Sequence, residues 1–336
     1  MPELALLVLV IAAAIGFGVV NGFNDAANSV AASIGSRALS PRNAIILAAF
    51  CNFAGAATGL EVARTIGKGI LVPETIYQLA NPYLPLIAAL ATVIAWGTIA
   101  TRFGLPVSIS HSFVTGLAAA GIVVVGSEAV VWSKLQQIGV SVVAAPTLGF
   151  IGGFALMVVL LWACRRSAPA KMRVVFSRLQ WLTTAFLAYS HGKNDGQMPI
   201  GVITMALVIH TGRVELWDNI PWWVIIVSAL AISSGIAMGG WRVIRTVGMK
   251  ITALQPIHGF ATQASAATVI EIASRLGIPV STTHCATTAT MGVGATRRLS
   301  AVRWGITRNI VLAWILTFPV CGALGWAIAS LLKLAF

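Results

Sequence analysis

The chain has 336 residues, 58% of them hydrophobic and 9% charged, with a formal net charge of +13. A soluble domain carries roughly a quarter charged residues, so nine acids and 22 bases exclude a soluble fold of this length. The bases are spread over many short loops, which excludes a nucleic-acid groove and fits the excess of bases in cytoplasmic loops of membrane proteins.

Apolar segments are predicted, in chain order, at 4–20, 43–60, 84–101, 106–126, 138–164, 181–190, 199–210, 221–239, 260–273, 279–293 and 306–335. The first has no basic start and no small-residue cleavage site after it, so it reads as a membrane helix and not a removed signal. Several segments supply the roughly 20 residues that a helical crossing needs. Segments 181–190 and 199–210 are too short for that and lie beside polar blocks. Residues 65–83 and 165–180 read as loops. The bases Arg165, Arg166, Lys171, Arg173 and Arg178 make 165–180 a cytoplasmic linker. It separates a first transmembrane repeat, 1–164, from a second, 181–336. Trp132, Trp181, Trp217, Trp222 and Trp223 lie near segment ends, as interfacial anchors do. The cysteines lack CxxC spacing, which argues against a disulfide framework or zinc site.

The polar blocks occur twice, in the same order. Asn24-Asp25 returns as Asn194-Asp195. Gly59-Leu60-Glu61-Val62-Ala63-Arg64-Thr65-Ile66-Gly67 returns as Gly240-Trp241-Arg242-Val243-Ile244-Arg245-Thr246-Val247-Gly248. Pro106-Val107-Ser108-Ile109-Ser110-His111 returns as Pro279-Val280-Ser281-Thr282-Thr283-His284. A duplicated membrane chain with paired polar sites points to transport. The number of segments leaves both parallel and inverted repeats open.

Only three aspartates occur, and two of them follow an asparagine in these blocks. A carboxylate inside an apolar segment is costly unless paired, protonated or bound to a cation. Aspartate and asparagine oxygens are hard ligands that suit Na⁺ or a proton better than a soft metal. Glycines 22, 192 and 196 are expected to let the helices unwind and offer carbonyls. The Pro-Val-Ser blocks read as half-helices that start inside the protein, capped by hydroxyls and able to receive an oxyanion. His111, His284 and His191 read as structural hydrogen-bonders, with proton carriage as the alternative. Arg64, Lys68, Arg245 and Lys250 read as interfacial snorkellers, and Glu61 and Glu271 as partners of Arg64 and Arg275 on their own helices.

These motifs resemble the inorganic phosphate transporter family along nearly the whole chain. The matching residues are Gly22 to Asn28, Ser190 to Gln197 and Pro279 to His284. The resemblance implies an all-α, polytopic membrane protein of two inverted structural repeats with broken or re-entrant half-helices. It implies a symporter of inorganic phosphate, coupled to Na⁺ or H⁺, without a cofactor and not an enzyme. It implies that Asn24, Asp25, Asn194 and Asp195 bind the coupling cation and that phosphate lies near Ser108, Ser110, Ser281, Thr282 and Thr283. Asn28, Asn52, Gln197, Gln263, His111 and His284 form a second tier. Asn52 and Gln263 stand where eukaryotic, sodium-coupled relatives carry glutamates. A bacterial or archaeal cell membrane, a homodimer and a metal–phosphate complex as cargo are further expectations. Two positions depart from the pattern: Ile109 replaces a hydroxyl residue, and Lys193 stands beside the second Asn-Asp. Lys193 either fills a cation position, pairs with Asp195, or snorkels. A sulfate permease of the same fold is the nearest alternative. A passive channel has no need of two intramembrane acids, and a duplicated serine without an orienting acid does not suit a hydrolase.

Overall fold

The computed structural model describes residues 3–335. Within them the chain is helical, and the β-type pairing is one isolated bridge, Leu71 to Val130. The first copy begins with α1 (Glu3–Gly35), unbroken through the first polar block. It ends where Arg37 adopts φ 60°. α2 (Pro41–Ala56) starts with Pro41 in its first turn and the Ser40 hydroxyl accepting from the Asn43 N–H, a standard N-cap. α3 (Glu61–Gly69) follows after a bend of 71°, reached through Gly59 at φ +85°. A short α4 (Pro73–Tyr77) leads to α5 (Leu84–Phe103), which stops at Gly104 in a left-handed conformation. α6 (Ile109–Val124) and α7 (Trp132–Ala163) complete the copy.

The second copy repeats the series as α8 (Pro169–Asp195), α9 (Gln197–Thr211), α10 (Trp222–Met238), α11 (Trp241–Arg245), α12 (Pro256–Arg275), α13 (Thr282–Ala295) and α14 (Trp304–Ala335). α8 and α9 together match α1. The α10–α11 pair, bent by 60°, matches α2–α3. α12, α13 and α14 match α5, α6 and α7, down to internal prolines at corresponding places, Pro146 and Pro319. By length and composition α1, α5, α7 and α14 can each cross a membrane, and each bent pair adds one more crossing.

The copies interlock. α10 packs on α1 as α2 packs on α8, and α14 packs on α6 as α13 packs on α7. α1 and its counterpart run antiparallel. Gly18 lies by Pro199, Asn21 by Asp195, Asp25 by His191 and Ser36 by Gln180, so the partner number falls as the first rises. Equivalent helices that run in opposite directions make the repeats inverted, which the segment count left open. Surfaces follow the same plan. α7 and α14 expose Val140, Val143, Leu148, Ile315 and Leu316 on their outer faces, while Asn24, Asp25, His191, Asn194, Asp195, Ser110, Thr282 and Thr283 are buried inside.

Several expectations are corrected. The short segments 181–190 and 199–210 are parts of one rod, α8–α9, interrupted only at Gly196. Residues 165–180 are helical from Pro169 onward, not a loop, because α8 begins there. The helices do not unwind at Gly22 or Gly192. A Cβ on Gly22 would stand 2.0 Å from the Ile232 carbonyl oxygen, and one on Gly192 would stand 2.1 Å from that of Asn52. These glycines serve close helix crossing, which replaces the polar role expected of them. Trp217 is buried at 3% exposure against Gly67, not an interfacial anchor. Arg64 donates to the Trp217 carbonyl at 3.0 Å instead of pairing with Glu61. The Lys68 side chain lies outside the described residues.

Candidate functional site

The second polar block sits where α8 gives way to α9, and the first sits within α1. The antiparallel crossing of these helices brings the two aspartates to one point. His191 Nε2 lies 3.6 Å from Asp25 Oδ2 and 3.3 Å from Asp195 Oδ2. Ligand atoms of all three residues lie within 4.8 Å of one another. All three side chains are buried. His191 and Asp195 are four residues apart on α8, a spacing that puts both on one helical face. That spacing was the available sequence signal for His191, which the second polar block otherwise masks.

The half-helices reach this point from the other side. Ser108 and Ser281 cap α6 and α13, each hydroxyl accepting from the N–H of the histidine three residues on. The cap turns the next residues toward the aspartates. Ser110 donates to Asp195 Oδ1 at 2.6 Å, and its counterpart Thr283 donates to Asp25 Oδ1 at 2.9 Å. Each copy thus supplies the hydroxyl for the other copy's carboxylate. Thr282 adds a second donor to Asp195, at 2.7 Å. Ile109 holds the matching place in the first copy and has no hydroxyl to give Asp25. Asn28 donates to the hydroxyls of Thr282 and Thr283 at 3.2 and 2.9 Å.

Asn24 and Asn194 flank the cluster in equivalent ways. Asn24 Nδ2 donates to Thr101, and Asn194 Nδ2 donates to the corresponding Ser274 at 3.1 Å. Both Oδ1 atoms are buried without a donor, as are those of Asn21 and Asn28. A buried unpaired acceptor costs about 1–3 kcal/mol. Carboxylate and amide oxygens are ligands of the hard type that a hard cation takes. Asn21, the counterpart of His191, was not among the expected site residues.

The second tier divides. Asn52 reaches the cluster through His191, its Nδ2 standing 2.6 Å from Nδ1. Gln197 lies at the α2–α3 bend, where Oε1 accepts from the N–H groups of Val62 and Ala63 and Nε2 donates to the Thr58 carbonyl. Gln263 ties α8 and α12 to α1 through Thr183, Thr184 and the Ser29 carbonyl. His111 and His284 meet edge to face, centroids 5.1 Å apart, with Trp314 and Phe318 against them. Lys193 does neither of the things a cation-site lysine would do. Its ammonium meets Glu271 at 2.8 Å, and Arg275 meets the same carboxylate oxygen at 2.8 Å.

A buried pair of carboxylates beside a ring of hydroxyl donors suits joint binding of a cation and an oxyanion. The comparisons agree with that chemistry. The model of the phosphate transporter family matches residues 21–325. A Bacillus subtilis protein named "Probable low-affinity inorganic phosphate transporter" is 37% identical over 99% of both chains. A Rhizobium meliloti protein of the same name is 40% identical over 94% of this chain and 92% of its own. A solved structure titled "The sodium-dependent phosphate transporter" superposes with a TM-score of 0.87 at 29% identity, covering 99% of this chain and all of the other. These relatives are transporters, not enzymes, and the chain is a membrane protein that belongs to the phosphate transporter family.

Proposed function

We propose that the protein is a cation-coupled symporter of inorganic phosphate in the cell membrane of a bacterium or archaeon. One observation carries the coupling. Asp25 and Asp195 lie within reach of a single imidazole nitrogen in a buried site. One N–H cannot offset two carboxylates, and at short range in a low dielectric their repulsion of an arriving anion is large. Phosphate can therefore occupy the neighbouring hydroxyls only after cations have loaded the carboxylates. Ordered loading of that kind is coupling.

In this reading Asp25, Asp195 and the free amide oxygens of Asn24 and Asn194 hold the cation. Ser110, Thr282 and Thr283 turn their O–H groups from the carboxylates to the phosphate once the cation is bound. Neutral donors of this kind bind a tetrahedral anion without the hold of an arginine fork and let it leave. The series α1–α7 and α8–α14 act as the two inverted repeats. The basic start of α8 faces the cytoplasm, where the excess of Lys and Arg belongs.

The experiment is phosphate uptake into proteoliposomes under an imposed Na⁺ gradient or an imposed pH gradient, with sulfate as competitor. Uptake that follows one gradient and resists sulfate supports the proposal. Uptake indifferent to both gradients would make the protein a passive pathway, and sulfate uptake in place of phosphate would reassign the anion.

A further inference from the structure

We propose that the cavity between the end of α1 and the starts of α8 and α12 binds a soluble organic phosphate, held by Arg37 and Arg173, and that its occupant restrains transport. The site goes beyond the symport reading, and the restraint rests on it.

The cavity has a volume of about 690 Å³, and its walls are drawn from residues 35–37, 169–173 and 248–257. Arg37 and Arg173 line it. No Asp or Glu occurs in 26–60, 129–194 or 219–270, the three stretches that supply these walls. The ion pairs among the described residues are made by His191, Lys193, His210 and Arg275. Neither guanidinium of the cavity is therefore neutralised by a carboxylate. α8 adds the N–H groups of its first turn, which Ala168 has no side chain to cap. Two guanidinium forks and a helix start offer more donors than one carboxylate has oxygens, and suit the terminal oxygens of a phosphoryl group.

The size of the cavity decides what carries that phosphoryl group. Small-molecule sites run from about 300 to 1,000 Å³, and 690 Å³ leaves most of the space to something other than one tetrahedral ion. Met172, Met249, Leu254 and Ile257 line that space and give an apolar surface to an organic group such as a nucleobase. Depth argues for a soluble ligand instead of a lipid headgroup. From Asp195 back to Arg173, α8 runs about 33 Å. With the ion site near mid-bilayer, that length carries Arg173 past the headgroups, which end about 20–22 Å from the centre.

The cavity also touches the helices that bear the two carboxylates. Its wall residue Ser36 donates to Gln180 at 2.6 Å, Gln180 donates to Gln263 at 3.3 Å, and Gln263 donates to the Ser29 carbonyl at 3.0 Å. This chain of bonds fastens α1, α8 and α12 together, up to one turn from Asp25. A ligand held by Arg37 beyond the end of α1 and by Arg173 on α8 adds another tie. It favours the packing seen here over one that parts these helices, and a carrier must alternate between packings to turn over.

The test starts with labelled ATP as the probe, in equilibrium dialysis against the purified full-length protein. The wild type is expected to bind it, with AMP competing and adenosine not. Arg37→Gln together with Arg173→Gln should weaken binding at least about tenfold, through loss of two charge-assisted contacts. Arg165→Gln with Arg166→Gln removes the same charge from the same end outside the cavity and should change binding less than about twofold, because distant exposed charges are screened. No binding by the folded wild type, equal loss in both pairs of variants, or competition by adenosine overturns the site. Inorganic phosphate or phosphatidylglycerol displacing the probe at a lower concentration than AMP overturns the soluble organic ligand. In proteoliposomes with ATP on both sides, phosphate uptake by the wild type should slow, and the Arg37→Gln, Arg173→Gln protein should keep its ATP-free rate. Wild-type uptake that ignores ATP overturns the restraint. A wild type that binds ATP and moves no phosphate would overturn the symport reading and leave the site standing.

Discussion

Asp25 and Asp195 are equivalent by descent and unequal in their surroundings. Asp195 receives hydroxyls from Ser110 and Thr282, whereas Asp25 receives one, from Thr283. The missing donor is traceable to Ile109. The residue four positions earlier differs too. In the second copy it is His191, which approaches both carboxylates, and in the first it is Asn21, which reaches only the Asp195 backbone carbonyl, at 3.5 Å. Around this core the glycine crossings and the asparagine–hydroxyl pairs have stayed alike. Backbone approach leaves no room for change, while a side chain aimed at the site is free to diverge. The two carboxylates therefore do different work. Asp195 is oriented on both oxygens by hydroxyls. Asp25 takes its hydroxyl on Oδ1 and meets the His191 ring with Oδ2.

The largest effect expected is from removing either charge while keeping its shape. Asp25→Asn and Asp195→Asn should each lower coupled uptake roughly 100-fold or more, as losing one member of a buried charge cluster does. The protein should remain monodisperse in detergent. Wild-type uptake in either variant would take the cation role from that residue. Next is Thr282→Val, which removes the extra donor. A hydrogen bond to a charged group is worth about 1.5–3 kcal/mol, so the half-saturating phosphate concentration should rise at least roughly tenfold, with Thr282→Ser restoring it. Ile109→Thr makes the half-sites alike. Its new hydroxyl should lower half-saturating phosphate about threefold, within the 0.5–1.5 kcal/mol of one added hydrogen bond, and a rise would show that the first half-helix needs its apolar residue. The smallest effect is expected from Lys193→Phe, which copies the first-copy residue Phe23. The ammonium is engaged by Glu271, and Glu271 retains Arg275. Uptake should change less than about threefold and stability by about 1 kcal/mol. A changed cation requirement in this variant would return Lys193 to the ion site.

Much of this was legible in the chain, because duplication exposes what a single copy hides. The paired Asn-Asp and Pro-Val-Ser blocks named both carboxylates and all the hydroxyls that meet them. Helix starts were legible for the same reason, since Ser108 and Ser281 are local caps. What was not legible depends on contacts between distant segments. Nothing local tells that Ser110 serves Asp195 and Thr283 serves Asp25, or that Gly22 and Gly192 are crossing points instead of hinges. Gln197 belongs to the same motif as Asp195, yet two residues of helix and the Gly196 break turn it to the α2–α3 bend. His191 was visible as a motif residue, but its place between two carboxylates needed the antiparallel crossing of α1 and α8.

In the proposed symport, cation and phosphate open the Asp25–Asp195 site to each other. The most direct measurement is phosphate affinity of the purified protein by calorimetry, in Na⁺ and in an inert organic cation, across a range of pH. Mutual enhancement is required by linkage. Phosphate should bind more tightly as either Na⁺ or proton concentration rises, and the dependence should disappear in the Asp25→Asn, Asp195→Asn double variant. A phosphate affinity that ignores both cation and pH would contradict the proposed symport.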